Sequence, residues 1–227
     1  MNERENILGR IREALRFPAR RPGSHGVTEG KTALPTVAER REVLPPVSSS
    51  FDEQVALFAR NCAELRADFK LCRDADEATA ELARLREAEG WSRIASHRGP
   101  QTERAVTSLG LPVLWTEGGY DKHELERCAA GITACDALVA QTGTVVVSTR
   151  TGGGRALNVL PPHHVVLATR DQLVPDLPAA FATLKERYGA DYPSMISFIT
   201  GPSRTGDIER ILVLGAHGPK KLTILCV

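Results

Sequence analysis

The sequence predicts an α/β protein built on a mostly parallel sheet with helices on both faces. Two observations carry that expectation: helical and strand-like segments alternate from Phe51 to about residue 130, and the later strand-like runs are almost wholly apolar. Strands buried on both faces read as continuous hydrophobic runs, whereas strands with one wet face alternate. Composition agrees, since 42% hydrophobic and 25% charged residues in 227 describe an ordinary globular chain, long enough for a substantial core.

Residues 2 to 16 place Ile7, Leu8, Ile11 and Leu15 at helical spacing among charges, an amphipathic helix that needs a surface to cover. From Pro18 to Pro46 five prolines with several Gly and Ser forbid regular structure, so residues 1–47 read as a helix and a Pro-rich arm, and residues 48–227 as the α/β domain. A Ser49-Ser50 start precedes a long helix carrying Phe51, Val55, Phe58, Leu65 and Phe69, which gives way to the β-like FKLCR. Helices follow over 75–89, 101–109 and 120–130, separated by strands WSRIAS (91–96) and PVLW. Further strands are expected at TVVVS (144–148), HVVLAT (164–169), MISFIT (195–200) and LTILCV (222–227), with a helix over 176–188. A further element begins at DIERILVLG (207–215), with Asp207 near the N-terminus of a helical pattern.

Several functions are disfavoured at once. Twenty-nine Lys and Arg against 28 Asp and Glu leave a net charge of +1, too little to recruit nucleic acid or an anionic membrane. The 5% of aromatic residues is too few for a row of base-stacking platforms. Five cysteines (Cys62, Cys72, Cys128, Cys135, Cys226) form an odd set without C-x-x-C, unlike a disulfide framework or a thiolate metal or cluster site, and a reducing cytosol fits them best. Neither a signal-type hydrophobic segment nor the ~18 apolar residues of a membrane span is present, so the expectation is a soluble, cytoplasmic protein.

Four motifs fail on inspection. Gly30-Lys31-Thr32 lacks the earlier glycine of a phosphate loop, His25 standing in its place, and lies in the Pro-rich arm. Gly152-Gly153-Gly154 is followed by Leu157 where the dinucleotide fingerprint requires glycine, leaving a flexible loop. His123-Glu124 has no second histidine a helical turn later and reads as solvated surface. Glu117, beside Gly118-Gly119, resembles an exposed nucleophilic glutamate but has no visible activating partner, and turn chemistry accounts for it equally well.

Three loops combine polar groups more pointedly. In DALVAQTGTVVVS an apolar run is broken by Thr142-Gly143-Thr144, either a hairpin turn or a backbone-and-hydroxyl nest for a carboxylate or phosphate. In ITGPSRTGDIE, Ser203, Arg204, Thr205 and Asp207 arrive within five residues. As a helix start they would hold an anion through hydroxyls, first-turn amides and the forked guanidinium, with Asp207 capping or orienting; the alternative is an ordinary cap with Arg204 on the surface. His217 in LGAHGPK and His163-His164 in PPHHVVL sit in turns at strand ends, where open α/β sheets bind ligands.

In these same stretches, QTGTVVVS, LPPHHVVL, GPSRTGDIE and LGAHGP, the sequence resembles the lactate-utilisation protein C family with its LUD domain, over roughly residues 50–227. That resemblance implies a three-layer α/β/α fold of the sugar-phosphate isomerase and CoA-transferase type. It also implies a non-redox role beside two companion proteins, one bearing iron–sulfur clusters, in oxidising L-lactate to pyruvate, with no cofactor in this chain. The alternative is a stand-alone enzyme on a carboxylate, phosphosugar or acyl-CoA, with Arg204 holding the anion and His164, His217 or Glu117 serving as acid, base or nucleophile.

Overall fold

The computed structural model describes residues 3–14, 16, 45–208, 211–215 and 217–227. The Pro-rich arm and its Gly30-Lys31-Thr32 lie outside the described residues. The chain divides into two units, residues 1–46 and 47–227. In the first, Glu3–Ala14 forms helix α1, on which Ile7 and Leu8 are exposed. Among the described residues no helix is long and apolar enough to cross a membrane.

In chain order the second unit contains α2 (Phe51–Glu64), β1 (Asp68–Leu71), α3 (Ala75–Glu89), β2 (Ile94–Ser96), α4 (Thr102–Thr107), β3 (Val113–Trp115) and α5 (Lys122–Glu126). Then follow β4 (Ala130–Thr133), β5 (Ala137–Val139), β6 (Thr144–Ser148), β7 (His163–Ala168), a short 3-10 turn and β8 (Leu173–Val174). The last elements are α6 (Leu177–Tyr188), β9 (Ile196–Ile199), β10 (Arg204–Ile208), β11 (Ile211–Leu214) and β12 (Lys221–Cys226).

Six strands form one sheet in the order β1-β12-β7-β4-β2-β3, with every neighbour parallel. This is the expected α/β architecture. The central strands β4 and β7 are buried along their whole length, as strands covered on both faces must be. On one face of the sheet lie α3 and α4, where Leu82, Ala105 and Val106 pack with Ile94, Ile132 and Val165. Helix α3 starts at Asp74, whose side chain accepts the Glu77 amide at 2.8 Å, and ends at a left-handed Gly90.

The opposite face packs against α2 and a second, four-stranded sheet in the order β8-β5-β6-β9, joining Val166 and Ile224 to Phe58, Cys62, Leu138 and Val145 in one core. Helix α6 covers the far side of that second sheet through Ala180 and Leu184. The extra sheet arises because Thr142 and Gly143 turn the chain back on itself, so β5 and β6 pair antiparallel.

Two local expectations are corrected. Arg204–Ile208 and Ile211–Leu214 are not a helix start but the antiparallel pair β10–β11. Its β-branched and apolar run ILVL favours extended backbone over a helix. The helix expected over 120–130 stops at Glu126, and Ala130–Thr133 becomes the central strand β4, hidden in the sequence by its small residues.

A candidate ligand cleft at the amino ends of the central strands

Alternation along β7 sends its two histidines to opposite faces of the sheet. His163 turns toward α3, edge-on to Trp91 with ring centroids 5.5 Å apart, and its Nε2 meets Thr223 Oγ1 at 2.9 Å. His164 turns toward the second sheet, 1% exposed, with Nε2 2.9 Å from Thr133 Oγ1 on neighbouring β4. Burial, reinforced by His163 alongside, pushes the His164 pKa down to about 3, so its ring is neutral near pH 7.

His164 lines a cleft of about 370 Å³ together with Asn158, Thr200, Ser203, Arg204 and His217. The volume falls in the range of small-molecule sites, roughly 300–1,000 Å³. Ser203 is fixed by two backbone bonds, its amide donating to the Pro219 carbonyl and its carbonyl accepting from Gly215, each at 2.9 Å. These bonds bring the 201–204 and 215–219 segments together, so Ser203, Arg204 and exposed His217 share one rim. Arg204 donates through Nη2 to the Leu65 carbonyl at the C-terminal end of α2, where the helix dipole favours a cation. One such bond leaves the remaining donors of the guanidinium for the cleft. No Asp or Glu stands among the described residues lining it.

Two buried side-chain atoms here have no hydrogen-bond partner: Asn158 Oδ1 and His164 Nδ1. Buried polar atoms are nearly always paired, and both of these belong to residues lining the cleft, where a ligand or a water molecule would complete their bonding.

The structure thus brings together His164 of β7, Ser203 and Arg204 at the start of β10, and His217 ahead of β12, three stretches distant in the chain. Thr142, Gly143 and Thr144 do not line the cleft. They form the β5–β6 turn, where Gly143 takes φ +63° and packs against Asn61, whose Nδ2 donates to the Ala140 and Gln141 carbonyls. Only the buried Thr144 reaches toward the cleft, its Oγ1 2.8 Å from that of Thr200. The backbones of Thr205 and Asp207 lie in β10, so the first-turn amides and helix cap expected there do not exist; their side chains lie outside the described part of the structure.

Glu117 sits elsewhere, after β3, accepting the Arg98 amide. That end of the sheet also holds His97, whose Nε2 accepts from the Ala134 amide at 3.3 Å, and it is covered by the Gly152–Gly154 segment, with Gly153 against His97 and Thr116. The triple glycine therefore serves close packing. His123 is exposed, as read from the sequence. Sequence reasoning missed Asn158, whose only signal is a lone amide inside the apolar LNVL preceding the two prolines.

All five cysteines are buried and unpaired. Burial raises Cys62 to about 12 and Cys226 to about 11 and raises Cys135 further, which keeps these thiols protonated and poor as nucleophiles or ligands. Among the described residues no group of three or more His, Cys, Asp or Glu is placed to hold a metal ion.

Fold and cleft together define an α/β protein with a parallel central sheet and a pocket of small-molecule size that, among the described residues, is lined by polar and apolar side chains without a carboxylate. The chain belongs to the LUD domain family, whose model matches residues 55–227. It is similar over its full length to lactate utilization protein C of Halalkalibacterium halodurans, 28% identical over 235 residues that cover 100% of this chain and 98% of that protein. The protein of that name from Geobacillus kaustophilus is 39% identical over 127 residues, 55% of this chain and 52% of its own. These matches bear out the resemblance read from the four motifs. Among solved structures, a DUF162 family protein from Deinococcus radiodurans superposes with a TM-score of 0.64 at 22% identity, covering 79% of this chain and 99% of that one, a likeness of fold.

Proposed function

We propose that this protein serves lactate utilisation as a non-redox subunit of a cytosolic assembly that oxidises L-lactate to pyruvate, and that its cleft binds an anionic small molecule. The observation that carries the reading is the full-length similarity to relatives named lactate utilization protein C. Arg204 and Ser203 supply the cationic fork and hydroxyl an anion needs, and among the described residues no lining carboxylate competes for them. In this proposal the iron–sulfur clusters that carry electrons are held by a companion protein. The buried, protonated thiols of this chain support that assignment, because a cluster ligand is a thiolate.

Clean deletion of the gene tests the reading. Growth on lactate as sole carbon source is lost, returns with the wild-type gene, and does not return with Arg204→Gln, while the cluster-bearing companion co-purifies with the full chain. Unimpaired growth of the deletion strain on lactate overturns it.

A further inference from the structure

The cleft has a rim that suits an anion and a floor that asks for something else. Asn158 is 3% exposed and His164 1% exposed, and the unpartnered Oδ1 and Nδ1 belong to these two residues. Thr133 occupies the other ring nitrogen of His164. A neutral imidazole carries one N–H and one lone pair, and the Thr133 hydroxyl can satisfy either, which leaves Nδ1 as donor or acceptor according to the direction of that bond. Asn158 Oδ1 can only accept. A carboxylate or keto oxygen accepts only and leaves Oδ1 orphaned, and a methyl group satisfies neither atom. A hydroxyl both donates and accepts, so it serves Oδ1 and whichever role Nδ1 holds.

We propose that the ligand is a hydroxylated organic anion, its negative end held by Arg204 and Ser203 at the rim and its hydroxyl read by Asn158 and His164 at the floor. This deepens the reading above and rests on it for the anion; the new element is Asn158 as the residue that sets specificity. Hydroxycarboxylates and phosphorylated polyols share this chemistry, and a cleft of about 370 Å³ admits both.

Isothermal calorimetry on the full chain with two matched pairs tests it: L-lactate against propionate, and glycerol 3-phosphate against propyl phosphate. Members of each pair share a charged end and differ in hydroxyls. The hydroxylated member of one pair binds at least about tenfold more tightly, because a site built to bond a hydroxyl rejects the analogue lacking it. Which pair responds separates carboxylate from phosphate. If the carboxylate pair responds, pyruvate falls with propionate, a comparison made on the wild-type protein alone. Asn158→Leu, of similar size, brings the two members to within about twofold while the melting temperature holds, since it removes an unpaired buried acceptor. Equal affinities within both pairs, no binding of any of the four, or a preference that survives Asn158→Leu overturns the inference. Arg204→Gln weakens both members of a pair alike under the anion reading. Equal affinities that still depend on Arg204 sink the hydroxyl inference alone, whereas lactate growth unaffected by deletion sinks the functional reading.

Discussion

Thr133 and His164, offset by two positions on neighbouring parallel strands, meet Oγ1 to Nε2 at 2.9 Å, and this bond fixes the buried histidine that lines the cleft and whose Nδ1 has no partner among the described residues. Both residues are buried, so water cannot replace the bond. Thr133→Val keeps the shape and removes the hydroxyl, leaving both ring nitrogens without a protein partner. Stability then falls by about 1–3 kcal/mol, the cost of an unsatisfied buried polar group. Denaturant titration checks it; a loss too small to measure would show that the bond does not hold the ring.

Stability also depends on pH through the same ring. In the folded protein His164 gains its proton only near pH 3, whereas an exposed histidine in the unfolded chain does so near 6.5. Between those values the unfolded chain binds the extra proton, so stability is full above about pH 6.5 and drains away as pH falls toward 3. His97 and His163, also lowered chiefly by burial, act in the same sense. Removing one titrating group removes at most about 1.4 kcal/mol per pH unit from the slope in that window. His164→Asn therefore flattens the curve of unfolding free energy between pH 6 and 4. A slope identical to that of the wild type contradicts this account.

A second buried polar cluster lies on the outer side of the four-stranded sheet. Asp136 is 0% exposed, yet it accepts from Thr151 Oγ1 at 2.7 Å, from Arg187 Nη1 at 3.0 Å and from the Tyr188 hydroxyl. Because every partner is satisfied, the cluster reads as a clamp joining the start of β5 to the end of α6. Asp136→Ala takes the shared acceptor from Thr151, Arg187 and Tyr188, and because the partly exposed Arg187 can turn to water the expected cost is about 2–3 kcal/mol. Tyr188→Phe removes the hydroxyl's bond to Asp136 and its 3.0 Å contact with Ser148 Oγ, and costs about 1 kcal/mol. Equal losses for the two variants would show that the tyrosine, not the carboxylate, holds the joint.

The parts of the fold that were legible in the sequence are those where local pattern and tertiary demand coincide. The apolar run of β7 and the capped period of α3 declare themselves. Strand β4 did not, because Ala130 and Gly131 are chosen for what crosses over them and not for strand propensity. The antiparallel pair β10–β11 was misread because Ser203, Arg204 and Asp207 mimic a helix start, while Arg204 and Thr205 pair with Leu214 and Val213 further along the chain. In the candidate cleft, Arg204, Ser203, His164 and His217 stood out by residue type. Asn158 did not, since what distinguishes it is the burial of an amide with an unpaired oxygen, a property of the packed chain.

Gly131 links the sheet to the cleft and gives the sharpest test of that packing. A Cβ built on it would stand 2.3 Å from the Leu157 carbonyl oxygen and 3.0 Å from Pro161, so the 157–161 segment can lie on β4 only where the strand has no side chain. The first contact is with backbone, which no rotamer change relieves. Gly131→Ala must lift the segment or bend the strand, and overpacking of this kind costs about 1–3 kcal/mol. Asn158 is the next residue along the lifted segment, so the substitution also displaces an orphaned acceptor of the cleft. Calorimetry on Gly131→Ala should then show the hydroxylated ligand losing its advantage over its analogue, while the Arg204-dependent part of binding persists. Retention of full stability together with full hydroxyl preference would mean that the segment does not press on β4.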